Sequence, residues 1–275
     1  MDFAGSADCV RFRTSLNLAQ TFTCGQCFRF TETAPGIFEG AAGNRYLRLE
    51  QQGDGITLHC SEEEFQSFWR NYFDLDTDYE EKQKTLAALS PMLKEAERFA
   101  PGIRILRQNP WEALISFIIS QNNNIPRIMG IIARLCERFG DPIPAPLRGF
   151  PSPQTLASLT LEDLAPLRAG FRGKYILDAA RKVVSGEVDL KKIANAPVEF
   201  GREELQKIMG VGPKVAECAL LYGFHKTQCF PMDVWMKRAM AVLLPGISPE
   251  IFGENAGLAQ QYIFHYSRMH AEIFQ

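Results

Sequence analysis

The stretch LQKIMGVGPKVAECALLYGFHKTQCFPMDVWMKR, residues 205–238, decides how this chain folds. Leu205, Ile208 and Met209 predict the apolar face of one short helix. Gly210-Val211-Gly212 ends it, because glycine takes the positive φ of a helix C-terminus without steric cost. Pro213 suits the first turn of a second helix, where a missing N–H costs nothing. Val215, Ala216, Ala219 and Leu220 predict the buried face of that helix. The turn between them is too tight for side chains, and the unpaired N–H groups of the second helix point outward. Together with the helix dipole they make a seat for a phosphate. Taken alone, the pattern also fits a plain connection between two helices.

Lys214 lies in the first turn of the second helix, near the positive end of the dipole, where a charged ammonium is disfavoured. An amine must be neutral to attack carbon, so the position suits a nucleophile. Asp233 follows 19 residues later, behind Pro231 and ahead of Val234-Trp235-Met236-Lys237, and reads as an N-cap. A capping carboxylate is held fixed and ionised, so it can also serve a catalytic charge.

Working outward, the first hundred residues read as strands and turns. Phe28-Arg29-Phe30 alternates, and Gly36–Gly40 is a short strand between turn residues. Tyr46–Leu49 and Ile56–His59 flank Gly53-Asp54-Gly55, a hairpin signal. Ser61 with Glu64 has the spacing of a capping box. Beyond about residue 102 the pattern becomes helical. Pro110 opens an apolar helix through Ile119, and Asn122-Asn123-Asn124 with Pro126 opens another. Ile128, Ile131, Ile132, Leu135 and Phe139 form one stripe of that second helix. Residues 142–153 are a proline-rich connection, and further helices are predicted near 160–167 and 174–184. The fold class is α+β: an antiparallel-sheet domain over 1–102, then an all-helical region over 103–275 with the helix-hairpin-helix near 202–222.

The 275 residues are 46% apolar, enough for a real core, and no stretch is a membrane span or a secretory signal. Seven scattered cysteines, an odd number, predict reduced thiols rather than a disulfide framework. Net charge is −2, but the first hundred residues carry the acidic excess and the rest a basic one. A local basic face for nucleic acid therefore remains open where a bulk one does not. The four histidines show no metal spacing.

Together GVGPK and PMDV, with SQNNNIPRI, GFRGKY and CGQCFRF upstream and AGLAQQYIF downstream, resemble the helix-hairpin-helix (HhH-GPD) DNA glycosylases, specifically the 8-oxoguanine DNA glycosylases. The resemblance runs from about Phe12 to Phe264. It implies a TBP-like N-terminal sheet, a two-lobed helical region, and a partner in double-stranded DNA containing damaged guanine. It implies that the base is flipped into a pocket, that Lys214 attacks the sugar and forms a Schiff base, and that β-elimination nicks the strand. Asp233 would stabilise positive charge on the sugar.

The resemblance also implies that the carbonyl of Gly25 accepts the N7–H that oxidised guanine has and guanine lacks. Cys218 and Phe264 would sandwich the base, and Gln260 would read its Watson–Crick edge. Asn122, Arg127, Phe171 and Arg172 would fill the vacated space and read the opposite cytosine. Gly210, Val211 and Gly212 would hold the DNA backbone. Where eukaryotic members often have histidine two residues after the aspartate, this chain has Trp235, which points to a bacterial or archaeal member. No metal and no required cofactor are implied, apart from a monovalent cation on hairpin carbonyls. A monomer is expected, in the nucleoid-bearing cytoplasm of a prokaryote or the nucleus of a eukaryote. Rival readings are a glycosylase for alkylated purines or oxidised pyrimidines, a non-catalytic DNA-binding hairpin, and a redox protein built on Cys24-Gly25-Gln26-Cys27.

Overall fold

The computed structural model describes residues 4–6 and 9–274. Six strands form one antiparallel sheet: β1 (Ala4–Ser6), β2 (Cys9–Arg13), β3 (Phe30–Ala34), β4 (Ile37–Ala42), β5 (Arg45–Gln52) and β6 (Gly55–Leu58), in the order β1-β2-β6-β5-β4-β3. Strands β5 and β6 make the expected hairpin, with Gln52 opposite Gly55 across a tight turn. Val10 and Phe12, Leu47 and Leu49, and Ile56 and Leu58 alternate with outward residues, so one face of the sheet is apolar. Helix α1 (Leu18–Thr23) and helix α2, over residues 62–72, cover that face with Phe22, Phe65 and Trp69.

Two local expectations change. Phe28 and Arg29 lie in a bend, and β3 starts at Phe30. The Arg29 guanidinium donates to the carbonyls of Gly43 and Arg148 and to Glu112, which pulls the chain out of strand geometry. At Ser61 only half of the capping box forms. Ser61 Oγ accepts the Glu64 N–H at 3.1 Å, but the Glu64 carboxylate is taken by the Trp69 indole at 3.2 Å. A reciprocal box occurs instead at Thr160 and Asp163.

The second core is helical. Helices α3 (Tyr79–Leu89) and α4 (Pro91–Phe99) join it, followed by α5 (Pro110–Ser120) and α6 (Ile125–Phe139). Helix α5 is buried on every side from Trp111 to Ile119, making it the central post of this lobe. In α6, Ile128, Ile131, Ile132 and Leu135 are buried as the stripe predicts. Its cap is Asn124, whose side chain accepts the Arg127 N–H at 3.0 Å. Asn122 instead takes a left-handed φ of 46°.

Residues 142–152 are irregular apart from one bridge between Pro142 and Arg148, and Pro153 opens α7 (Pro153–Ala157). There follow α8 (Leu161–Leu164), α9 (Arg172–Ser185), α10 (Leu190–Asn195), α11 (Val198–Gln206), α12 (Pro213–Gly223), α13 (Val234–Leu243) and α14 (Ala256–Met269). The hairpin is α11–turn–α12. Leu205 and Ile208 are buried as predicted, whereas Met209 is 49% exposed. The helix ends at Gln206, so the chain has already turned outward at Met209 and helical spacing no longer applies. No helix among the described residues is long and apolar enough to cross a membrane.

Candidate active site

Gly25 of the N-terminal domain and residues of the helical region meet at one small cavity of about 40 Å³. Gly25, Phe117, Lys214, Cys218, Tyr222, Pro231, Asp233, Gln260, Gln261 and Phe264 line it. Both predicted catalytic residues and all four predicted base-pocket residues are therefore together. A larger cavity, about 910 Å³, lies against the sheet at Arg11, Glu50 and Thr57, where no comparable chemistry converges.

Helix α12 sets the spacing of one wall. Lys214 and Cys218 are one turn apart, so they share a face. The Lys214 Nζ sits 5.5 Å from the ring centroid of Phe117 on α5, which leaves the amine against an aromatic face. Burial raises the Cys218 thiol above its ordinary range, opposed by the nearby Lys214 amine, so this sulfur is a neutral wall. Asp233 caps α13: its Oδ1 accepts the Met236 N–H at 2.7 Å. The carboxylate thus has a fixed rotamer at the pocket rim.

Gly25 has φ of 85°, a conformation in which a side chain is strained. A Cβ there would stand 3.5 Å from the Phe264 ring, so that ring lies over the glycine. The segment is held by Gln26, which sequence reasoning passed over. Its fully buried amide donates to the carbonyls of Arg104 at 2.7 Å and Thr21 at 3.1 Å, and its Oε1 accepts from Leu106 N at 2.9 Å. Gln108 completes the link. Its side chain donates to the Gln26 carbonyl at 2.7 Å, and its backbone N–H donates to the Tyr222 carbonyl at 3.1 Å. The glycine loop is thereby tied to the helix that carries Lys214.

Cys24 and Cys27 follow α1 in a bend rather than lying on a strand. Burial pushes Cys24 up to about 12 and raises Cys27 strongly as well. Neither is a ready thiolate, which removes the basis of a redox pair.

At the hairpin, Gly210 has φ of 77°, and a Cβ on it would come within 2.4 Å of the Tyr175 ring. Only glycine fits. The Val211 side chain is buried and its N–H bonds the Ile208 carbonyl at 3.0 Å. Gly212 is the N-cap residue of α12 and has open space around it.

The four duplex-reading candidates are arranged differently. Arg172 is only 2% exposed. Its guanidinium donates to the carbonyls of Gln121, Asn122 and Ala169, at 2.9 Å to Gln121 and 2.8 Å to Asn122. Burial, with a smaller contribution from Arg127, lowers its pKa. It also stacks 4.4 Å from the ring of Phe171, which is itself 47% exposed. Arg127 is exposed and reaches Asn123 and the Arg168 carbonyl only at 3.4 Å each. Trp235 gives its indole N–H to Ser267 at 2.9 Å. Among the described residues no three His, Cys, Asp or Glu side chains converge as a metal site.

Residues 10–114 match the model of the 8-oxoguanine DNA glycosylase N-terminal domain, and residues 115–246 match the HhH-GPD superfamily of base excision DNA repair proteins. The N-glycosylase/DNA lyase of Saccharomyces cerevisiae is 41% identical over 56% of this chain, which spans 43% of that relative's length. A structure of MBOgg1 with a low affinity DNA ligand superposes with a TM-score of 0.93 at 40% identity, covering 98% of this chain and 100% of that one. The 8-oxoguanine glycosylase/lyase of Clostridium acetobutylicum, bound to double-stranded DNA containing cytosine opposite 8-oxoG, gives a TM-score of 0.91 at 36% identity, with 98% and 99% covered.

Proposed function

The chain belongs to the 8-oxoguanine DNA glycosylases of the HhH-GPD superfamily, and we propose that it excises 8-oxoguanine from double-stranded DNA, preferentially opposite cytosine, and then nicks the strand. The observation that carries this reading is the meeting of Lys214, Asp233, Gly25, Cys218, Gln260 and Phe264 at one cavity.

The lone pair of Lys214 Nζ forms a bond to C1′ as the C1′–N9 bond breaks; that electron pair leaves with the base, which takes up the proton that the nitrogen loses. The Asp233 carboxylate stabilises the positive charge that develops on the sugar. The C1′–O4′ bond then breaks as the nitrogen lone pair forms C1′=N, and O4′ takes a proton from solvent, leaving the protonated Schiff base. Loss of a C2′ proton then expels the 3′ phosphate with the C3′–O electron pair. Gly25 supplies the acceptor for N7–H, which guanine lacks, so guanine would bury that carbonyl unpaired.

The cavity, at about 40 Å³, has room for about one water and not for a purine. The Phe264 ring over Gly25 must swing aside, and it then covers the base opposite Cys218. Arg127 and Phe171, being exposed, meet the opposite strand directly, and Arg172 follows once the Asn122 loop moves. Arginines are donors only, which suits the acceptor-rich edge of cytosine.

The hairpin N–H groups at Gly212 and the first turn of α12 seat a phosphate. The carbonyls of Met209, Gly210 and Val211 could hold a monovalent cation that adds positive charge there. The protein works as a monomer in whichever compartment holds the DNA, nucleoid or nucleus. The test is excision on duplexes with 8-oxoguanine opposite each of the four bases. Fastest cutting opposite cytosine supports the reading. Equal cutting opposite adenine removes the opposite-base claim, and release of alkylated bases alone would favour the alkylpurine branch.

A further inference from the structure

We infer that Gln261 is a second reader of the flipped base, its Oε1 accepting from the 2-amino group of oxidised guanine. The inference rests on the function proposed above and adds a residue to its pocket. Gln261 is 2% exposed and lines the cavity beside Gln260. Its Oε1 is one of three buried side-chain polar atoms among the described residues that make no hydrogen bond. An unpaired buried acceptor is costly, and on a residue that lines a substrate pocket it calls for a donor brought by the substrate as the pocket opens.

The neighbouring bonds fix which atom is left over. The Gln260 Nε2 faces the Pro231 carbonyl at 3.5 Å, and a carbonyl can only accept. That orientation puts Gln260 Oε1 towards the Tyr222 hydroxyl at 3.3 Å and Gln261 Nε2 at 3.0 Å. Gln261 Nε2 also donates to the Tyr222 hydroxyl. Reversing either amide would place like against like, so the arrangement is self-consistent only with Gln261 Oε1 unpaired.

The chemistry of the base supplies the missing partner. The Watson–Crick edge of guanine offers one acceptor, O6, beside two donors, N1–H and the 2-amino group. Both lone pairs of Gln260 Oε1 are already engaged, so Gln260 meets this edge chiefly as a donor. A further acceptor is then needed for the amino side, and Gln261 Oε1 provides it. The pair of glutamines reads both halves of the edge.

Single-turnover excision of 8-oxoguanine and of 8-oxohypoxanthine, each opposite cytosine, tests this, because the second lesion lacks only the 2-amino group. The wild type should cut 8-oxoguanine roughly tenfold faster or more. The near-isosteric Q261M should bring the two rates within a few-fold of each other, mainly by slowing 8-oxoguanine. Equal wild-type rates on the two lesions overturn the inference without any variant. An unchanged ratio in Q261M also overturns it, and Q261A takes the same measurement if Q261M fails to fold. A wild type that cuts neither lesion refutes the proposed function itself, a result distinct from both.

Discussion

Around Lys214, side chains from α5, α12 and α14 and the cap of α13 converge on one cavity beside Gly25; around Arg172, the guanidinium is turned onto neighbouring backbone carbonyls. The first region is preorganised. Gly25 is held by Gln26 and Gln108, and Asp233 by the end of α13. The second is a closed knot, with one buried guanidinium satisfying the carbonyls of the loop it is expected to leave. Chemistry needs charges and nucleophile fixed before the sugar arrives. Reading an opposite base needs groups that move only after the duplex has opened, and stability in the free protein is what such groups can offer meanwhile.

If the first region is the preorganised one, its variants should lose rate and keep stability. Lys214→Gln should lower single-turnover excision of 8-oxoguanine at least roughly a thousandfold with an unchanged melting temperature. Asp233→Asn should slow excision by roughly a hundredfold or more. Asparagine caps a helix as well as aspartate, so unfolding free energy should stay within about 0.5 kcal/mol. A comparable loss of stability would mean that Asp233 matters mainly as a cap.

Gly25→Ala should slow excision by roughly tenfold, because it strains a positive φ by about 1–2 kcal/mol and fills space beneath the Phe264 ring. A rate within twofold of wild type would place the base elsewhere. The second region should behave oppositely. Arg172→Lys replaces a fork that reaches three carbonyls from three separate nitrogens with donors on a single atom, so it should cost about 1–3 kcal/mol of stability. Arg127→Ala should leave the melting temperature unchanged and flatten the preference for cytosine a few-fold. Should Arg172→Lys leave stability intact while abolishing that preference, the contrast between the regions would be wrong.

How much the sequence disclosed follows the same division. Lys214, Asp233 and the glycine turn were legible because glycine, proline and capping residues act through the local backbone. The stripe on α6 and the hairpin at Gly53 were legible for the same reason. Met209 and the Phe28–Arg29 segment were misread, because a helix end and a distant ion pair override short periodicity. Gln26, Gln108, Tyr222 and Gln261 gave no signal. A glutamine reads as surface in a sequence, and only the folded chain shows its amide buried among carbonyls eighty residues away. The bonds of Arg172 to the Gln121 and Asn122 carbonyls are tertiary and have no local mark.

The central claim is that one amine at the start of α12 bonds to the sugar of the extruded lesion. Borohydride reduction of the wild-type protein on an 8-oxoguanine–cytosine duplex, followed by peptide mapping of the cross-link, tests it most directly. The account predicts a single DNA adduct on Lys214 and none with Lys214→Gln. An adduct on another residue, or undiminished trapping by Lys214→Gln, would contradict it.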